Sequence, residues 1–221
     1  MKESMSYNPG YSQLRDFQVR TILRIVETNQ DCKEGGVVFF GDSITEQCDI
    51  DTYYPTFPIK YNCGISGATS QQLLTVVDEG VIKYNPKVVV LLVGANDLGI
   101  RLKDSPRNIA LNVKMIIDII RGNLPETKIL LVSTLPCVEH LKGYQIEGGI
   151  RNNVLLEMIF MMYQELIRDK KTSFLNVYEE FVDENKEGVL EYYVDGLHLS
   201  DTGYQLLSSK IIPVVKELLE D

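Results

Sequence analysis

Five short apolar runs alternate with longer stretches of helical character, and this alternation most constrains what the 221-residue chain can fold into. The runs fall at 37–41, 59–63, 88–93, 129–133 and 173–177, and the strongest, Val88 to Val93, contains no polar residue. Helical signals fill the gaps. Leu14, Phe17, Ile22, Ile25 and Val26 form an apolar stripe along a predicted N-terminal helix from Tyr11 to Glu27. Thr69 with Gln72 reads as a capping box, and Ser105-Pro106 as a cap followed by proline at the first helical position. Further helices are predicted over 151–169 and 201–219. Such alternation favours a parallel sheet covered on both faces, and right-handed crossovers restrict the topology. The expected fold is α/β: a three-layer α/β/α sandwich on a flavodoxin-like, five-stranded parallel sheet. Hydrophobic residues make up 44% of the chain, enough for one sizeable core. We expect a single domain over 1–221, with 1–36 as an N-terminal helical extension packed on it, since no repeat, linker or low-complexity tract divides the sequence.

Histidine is scarce, and that narrows the chemistry. It is the side chain whose ordinary pKa lies nearest neutrality, so a general base of the usual kind must be one of only two residues, His140 or His198. His198 follows Asp195 by three residues in Tyr193-Val194-Asp195-Gly196-Leu197-His198, close enough for the carboxylate to orient the imidazole from a shared loop. At the other end of the chain, Val37-Val38-Phe39-Phe40 stops at Gly41-Asp42-Ser43-Ile44. Ser43 thus falls at the carboxyl end of the first predicted strand, where open parallel sheets place their ligand crevice. A serine becomes a nucleophile when a base takes its proton and a third group orients that base. Ser43, His198 and Asp195 are candidates for the three parts. The bland alternative for Gly41-Asp42-Ser43 is a turn and helix cap.

Acyl transfer also needs donors aimed at a developing oxyanion. Gly67 in the turn Gly64-Ile65-Ser66-Gly67 offers an unobstructed backbone N–H, and Asn96 in Gly94-Ala95-Asn96-Asp97 offers an amide at the end of the third predicted strand. Under the parallel arrangement Ser43, Gly67 and Asn96 share one rim. Gly-rich turns after strands also bind phosphates or simply turn, and Asn-Asp pairs are common in loops.

In this order Gly41-Asp42-Ser43-Ile44, the Gly67 turn, Gly94-Ala95-Asn96-Asp97 and Asp195-Gly196-Leu197-His198 resemble the SGNH hydrolases, also called GDSL esterases and lipases. The resemblance runs from residue 37 to the C-terminus. It implies Ser43 as nucleophile, His198 as base, Asp195 as its orienter, the Ser43, Gly67 and Asn96 groups as the oxyanion hole, and Asp42 and Asp97 as supporting residues. Two departures stand out. Ile44 replaces the family's usual leucine without touching a catalytic atom, and Leu199 follows the histidine where many bacterial members carry proline. With Gly203-Tyr204 downstream, the latter leans toward the branch of the intracellular platelet-activating-factor acetylhydrolase catalytic subunits.

The resemblance implies a serine esterase working through an acyl-serine, with no metal or organic cofactor. We expect short-acyl, acetyl-type esters of a small molecule, sugar or lysolipid, since the predicted loops are too brief to form a lid over a long lipid. The segment from Cys137 to Gly149, with Gly143 and Gly148, is expected to shape the pocket, and His140 to belong to it. The alternative class is a non-catalytic ligand-binding or phosphate-binding flavodoxin-like module, which would leave Ser43, Asp195 and His198 without a chemical reason.

Charge and cysteine usage set the remaining bounds. Lys and Arg number 22 against 31 Asp and Glu, a formal net charge of −9 with no basic cluster, which argues against a nucleic-acid partner. No apolar run approaches the roughly 20 residues of a membrane span. The start Met1-Lys2-Glu3-Ser4 has no apolar signal core, so a cytoplasmic location is expected. Cys32, Cys48, Cys63 and Cys137 show no Cys-x-x-Cys spacing and read as free thiols, although Cys63 near the Gly67 turn remains a formal rival nucleophile. A homodimer is open beside a monomer.

Overall fold

A computed structural model describes residues 13–99, 104–141 and 149–220. Five strands, β1 (Val37–Gly41), β2 (Lys60–Gly64), β3 (Val88–Leu92), β4 (Lys128–Val132) and β5 (Thr172–Leu175), form one sheet in the order β2-β1-β3-β4-β5. Every pairing is parallel, with Val37 facing Lys60 on one side and Val88 on the other. The expected sandwich is therefore the observed one. The strands stand within a residue or two of their predicted positions, β5 closing early as Asn176 Oδ1 accepts the Tyr178 N–H at 3.0 Å and turns the chain.

Period-two geometry explains why the sheet needs a layer on each face. Val38, Phe40, Val89, Leu91, Ile129 and Leu131 point into one core, and Val37, Phe39, Val88, Val90, Leu130 and Val132 into the other. The helices, in chain order, are α1 (Asp16–Gln30), α2 (Ser43–Glu46), α3 (Ile50–Tyr53), α4 (Ser70–Leu74), α5 (Val77–Gly80), α6 (Ala95–Gly99), α7 (Pro106–Asn123), α8 (Asn153–Leu166) and α9 (Asp201–Glu220). The first core is roofed by α1, α5, α7 and α8, and the second chiefly by α9 through Leu207, Ile211 and Val215. In α7 the residues Ile109, Val113, Ile116, Ile117 and Ile120 are fully buried, each worth about 1.5–3 kcal/mol of apolar transfer.

The predicted caps are formed. Thr69 accepts from the Gln72 N–H at 3.2 Å while Gln72 Oε1 accepts from the Thr69 N–H at 3.0 Å, and Ser105 Oγ accepts from Asn108 N–H at 3.2 Å ahead of Pro106. The N-terminal helix differs from its expected span. Residues 11 and 12 lie outside the described residues, Arg15 N–H is held by Gln18 Oε1 at 2.9 Å, and the helix continues to Gln30 because buried Asn29 donates to Glu79 O and Oε2, both at 2.9 Å.

Between β5 and α9 the chain folds back as an irregular loop that carries Asp195 and His198. An antiparallel bridge joins Tyr193 to Leu199, and Val194 N–H donates to His198 O at 2.9 Å. Val138 N–H to Gly196 O at 2.8 Å and Tyr193 OH to Pro136 O at 2.7 Å tie this loop to the segment leaving β4. The carboxyl ends of the parallel strands share one edge of the sheet, and strand order reverses there between β1 and β3, the position where open α/β sheets bind ligands.

Candidate active site

Ser43 opens α2 directly after β1, with Asp42 as its N-cap: the Asp42 carboxylate accepts the Ile44 N–H at 3.0 Å. The cap reading and the nucleophile reading are therefore compatible, since neighbouring residues serve them. Ser43 Oγ lies 3.0 Å from His198 Nε2, and His198 Nδ1 lies 2.7 Å from Asp195 Oδ2. Residues 155 apart in sequence meet in a hydrogen-bonded relay. Asp195 Oδ1 accepts the Leu197 and His198 N–H groups at 2.9 and 2.8 Å, so both carboxylate oxygens are engaged. Burial alone would raise the Asp195 carboxyl, but the bonds from His198 and the two backbone groups outweigh it and hold the group below the usual carboxylate range. An ionised Asp195 selects the His198 tautomer with its proton on Nδ1, leaving the Nε2 lone pair facing Ser43.

His140 takes no part in this relay. Its Nδ1 and backbone N each lie 3.1 Å from Glu187 Oε1, and the ring is largely exposed beside an open recess of about 740 Å³ that Arg151 and Asp183 also line. Glu139 turns away to accept the Asn153 N–H at 2.5 Å. Of the 137–149 segment, residues 142–148, which include Gly143 and Gly148, lie outside the described residues. Cys63 is fully buried within β2, and burial pushes its thiol up to about 12, so it presents no thiolate to the crevice.

The Gly67 turn and Asn96 converge on the same rim. Gly67 adopts φ +69°, a left-handed conformation that glycine accepts without strain, and among the described residues no acceptor takes the Ser43 or Gly67 N–H. Asn96 Nδ2 donates to Ala68 O at 3.2 Å, which places the amide beside the Gly67 turn with a second hydrogen to offer. Asp97 lies beneath both. Its two oxygens accept the Ser70 N–H at 3.0 Å and one accepts Ser70 Oγ at 2.5 Å, while Asn112 donates to the same hydroxyl at 3.0 Å. Asp97 is 1% exposed, and burial raises its carboxyl to about 7; Asp42, also buried, is raised to about 6 by the same cause.

Residues that the sequence did not single out hold this rim together. Glu46, one turn after Ser43 on α2, accepts the Ser66 N–H on Oε2 at 2.6 Å and Thr21 Oγ1 on Oε1 at 2.9 Å, with Arg24 Nη2 at 3.3 Å. Gln18 on α1 donates to Ser66 O at 3.1 Å. Asn62 donates to Thr45 O at 2.8 Å and Cys48 O at 3.0 Å, capping α2 from β2. The nucleophile helix, the Gly67 turn and α1 are therefore one braced unit. Glu46 had a local signal, being a carboxylate one helical turn past Ser43; Gln18 also bonds locally to Arg15, but nothing local points to its partners at the site, which are 48 and 54 residues away. Among the described residues no three His, Cys, Asp or Glu side chains group as metal ligands.

Comparison with known proteins identifies the family. Residues 39–206 match the profile of the GDSL-like lipase/acylhydrolase family. The chain is 26% identical over 201 residues to the platelet-activating factor acetylhydrolase IB subunit alpha2 of Rattus norvegicus, covering 86% of this chain and 81% of that protein. A Homo sapiens isoamyl acetate-hydrolyzing esterase 1 homolog is 23% identical over 190 residues, 80% and 72% of the two chains. Among solved structures, a Streptococcus pneumonia protein described provisionally as a platelet activating factor superposes with a TM-score of 0.81 at 31% identity, covering 90% of this chain and 92% of that one. With three-quarters of its length inside the family profile and its sheet matching the family's solved members, this chain belongs to the GDSL-like lipase/acylhydrolase family.

Proposed function

We propose that this enzyme hydrolyses small carboxylic esters bearing short, acetyl-type acyl groups, through an acyl intermediate on Ser43. The observation that carries the proposal is the relay from Ser43 Oγ through His198 to Asp195, at 3.0 and 2.7 Å. Ser43 Oγ attacks the ester carbonyl as His198 Nε2 takes its proton, and Asp195 stabilises the imidazolium that forms. The carbonyl oxygen, now an oxyanion, receives the N–H groups of Ser43 and Gly67 and the free Nδ2 hydrogen of Asn96. Collapse expels the alkoxide, which takes the proton from His198. Water, deprotonated by the same histidine, then attacks the acyl-serine, and on collapse the bond to Ser43 Oγ breaks, the acid leaves and Oγ takes the proton back from His198.

Acetyl preference is supported by two relatives whose names describe acetylhydrolase and acetate-hydrolysing activity. In this reading the whole chain acts as one domain, with α1 braced against the site through Gln18, Thr21 and Arg24. A cytoplasmic setting is supported by four free cysteines, and among the described residues no helix is long and apolar enough to cross a membrane. Whether the enzyme acts as a monomer or a homodimer is decided by light scattering.

The test is hydrolysis of p-nitrophenyl esters from acetate to palmitate by wild type and Ser43→Ala, with folding checked by circular dichroism. Turnover of the short esters that vanishes in folded Ser43→Ala supports the proposal. Wild-type turnover by the variant refutes the serine route, and a preference for palmitate refutes the acetyl assignment.

A further inference from the structure

Arg151 is 7% exposed, which is unusual for a side chain that carries a permanent charge. It stands just before α8, and its guanidinium reaches back 55 residues to donate from Nη2 to Asn96 Oδ1 at 3.2 Å. Its Nε donates to Ala95 O at 2.7 Å. The space for this reach depends on Gly99: a Cβ there would lie 1.9 Å from Arg151 Nη2. Three residues of α6, Ala95, Asn96 and Gly99, therefore fit together around one cation.

The consequence for Asn96 follows from hydrogen-bond inventory. A guanidinium only donates, so the atom facing Arg151 must be the amide oxygen; Ala68 O only accepts, so the atom facing it must be Nδ2. Both ends of the amide are specified, and its remaining N–H is aimed by default. A charged donor on the carbonyl side also polarises the amide, making that N–H more positive, and charge-assisted bonds of this kind are roughly twice as strong as neutral ones. The buried Asp42 carboxylate, whose oxygen accepts the Ile44 N–H, also feels the Arg151 charge, so the guanidinium acts on the floor of the site as well as on Asn96.

We infer that Arg151 is a positioning residue for the oxyanion site, acting through Asn96 Oδ1 to fix the amide's orientation and strengthen its Nδ2 hydrogen as a donor. The inference rests on the esterase reading above. Its signature is kinetic: a group that works on the transition-state oxyanion changes kcat with little change in KM.

The experiment is a double-mutant cycle with p-nitrophenyl acetate, using wild type, Arg151→Met, Asn96→Ala and the double variant, with Ser43→Ala as baseline. Removing one oxyanion donor costs about 100- to 1,000-fold in kcat, and that sets the ceiling for a residue acting through it. Arg151→Met is expected to lower kcat about 10- to 100-fold with KM within about threefold, and the double variant to be no slower than Asn96→Ala. Equal losses from Arg151→Met in the presence and absence of Asn96, or no loss at all, overturn the inference while leaving the esterase intact. Absence of Ser43-dependent turnover in wild type overturns the esterase reading and this one with it. If thermal melts show Arg151→Met unfolded, Gly99→Ala displaces the guanidinium without deleting it, and the same cycle with Asn96→Ala decides.

Discussion

Asp195→Asn isolates the orienting role of one carboxylate almost without changing shape. Asp195 Oδ1 accepts two backbone N–H groups at 2.9 and 2.8 Å, and Oδ2 accepts His198 Nδ1 at 2.7 Å. An asparagine must choose. If its oxygen keeps the two backbone donors, its NH2 faces His198 Nδ1 and selects the tautomer protonated on Nε2, which turns an N–H rather than a lone pair toward Ser43. If it flips to serve the histidine, the NH2 confronts two backbone donors at about 1–3 kcal/mol each, or about 2–6 kcal/mol together. At 1.36 kcal/mol per tenfold, the competent form falls by a factor of about 30 to about 3 × 10⁴. Asp195 is about half exposed, so water relieves part of the clash and favours the lower half of that range. The expected result is a fall in kcat for p-nitrophenyl acetate of about 30- to 10³-fold, with the far-ultraviolet spectrum and melting temperature close to wild type. A folded Asp195→Asn enzyme within threefold of wild-type kcat would refute the reasoning.

Two other perturbations probe the braces around the site. Glu46→Gln keeps the volume but replaces an acceptor of the Ser66 N–H with an amide that matches its three donors poorly; kcat is expected to fall about tenfold with melting lowered by about 1–2 kcal/mol, and unchanged kinetics would show that the Gly67 turn holds its position without Glu46. Asp97, raised to about 7 by burial, retains a proton in the folded state that the unfolded chain loses near 4. Between those values the folded state binds more protons, so this group makes stability fall as pH rises, by up to about 1.4 kcal/mol per pH unit. Urea melts from pH 4 to pH 8 should show a shallower decline for Asp97→Asn than for wild type, and parallel curves would contradict the buried-acid assignment.

The fold was legible because its strongest features are periodic and local. Val88 to Val93 can hardly be anything but a strand buried on both faces, and Thr69, Ser105 and Pro106 mark helix starts through their own hydrogen bonds. The short helix α5 carries no comparable signal: it has no side-chain cap, four residues cannot sustain a helix by propensity, and Val77 holds it by packing that only the folded chain supplies. Helix α3, by contrast, has a local cap that the sequence analysis did not single out, Asp49 Oδ1 accepting the Asp51 and Thr52 N–H groups at 3.1 and 3.3 Å. The same division runs through the candidate site. Ser43, His198 and Asp195 stood out because their residue types are scarce or sit at a strand end, whereas Gln18 and Arg151 act across 48 and 55 residues of sequence and resemble ordinary polar positions until the chain is folded. His140 shows the converse: its position after the fourth strand admitted it as a base, and the folded chain pairs it with Glu187 while His198 takes the place beside Ser43.

Covalent labelling tests the central claim most directly. A fluorophosphonate reacts with a serine whose proton is taken by a neighbouring base, and peptide mass spectrometry locates the adduct. The account predicts one adduct, on the peptide carrying Ser43, forming at least about 100-fold more slowly when His198 is replaced by alanine. An adduct on any other residue, or labelling of Ser43 at an undiminished rate in His198→Ala, would contradict a nucleophile activated by His198.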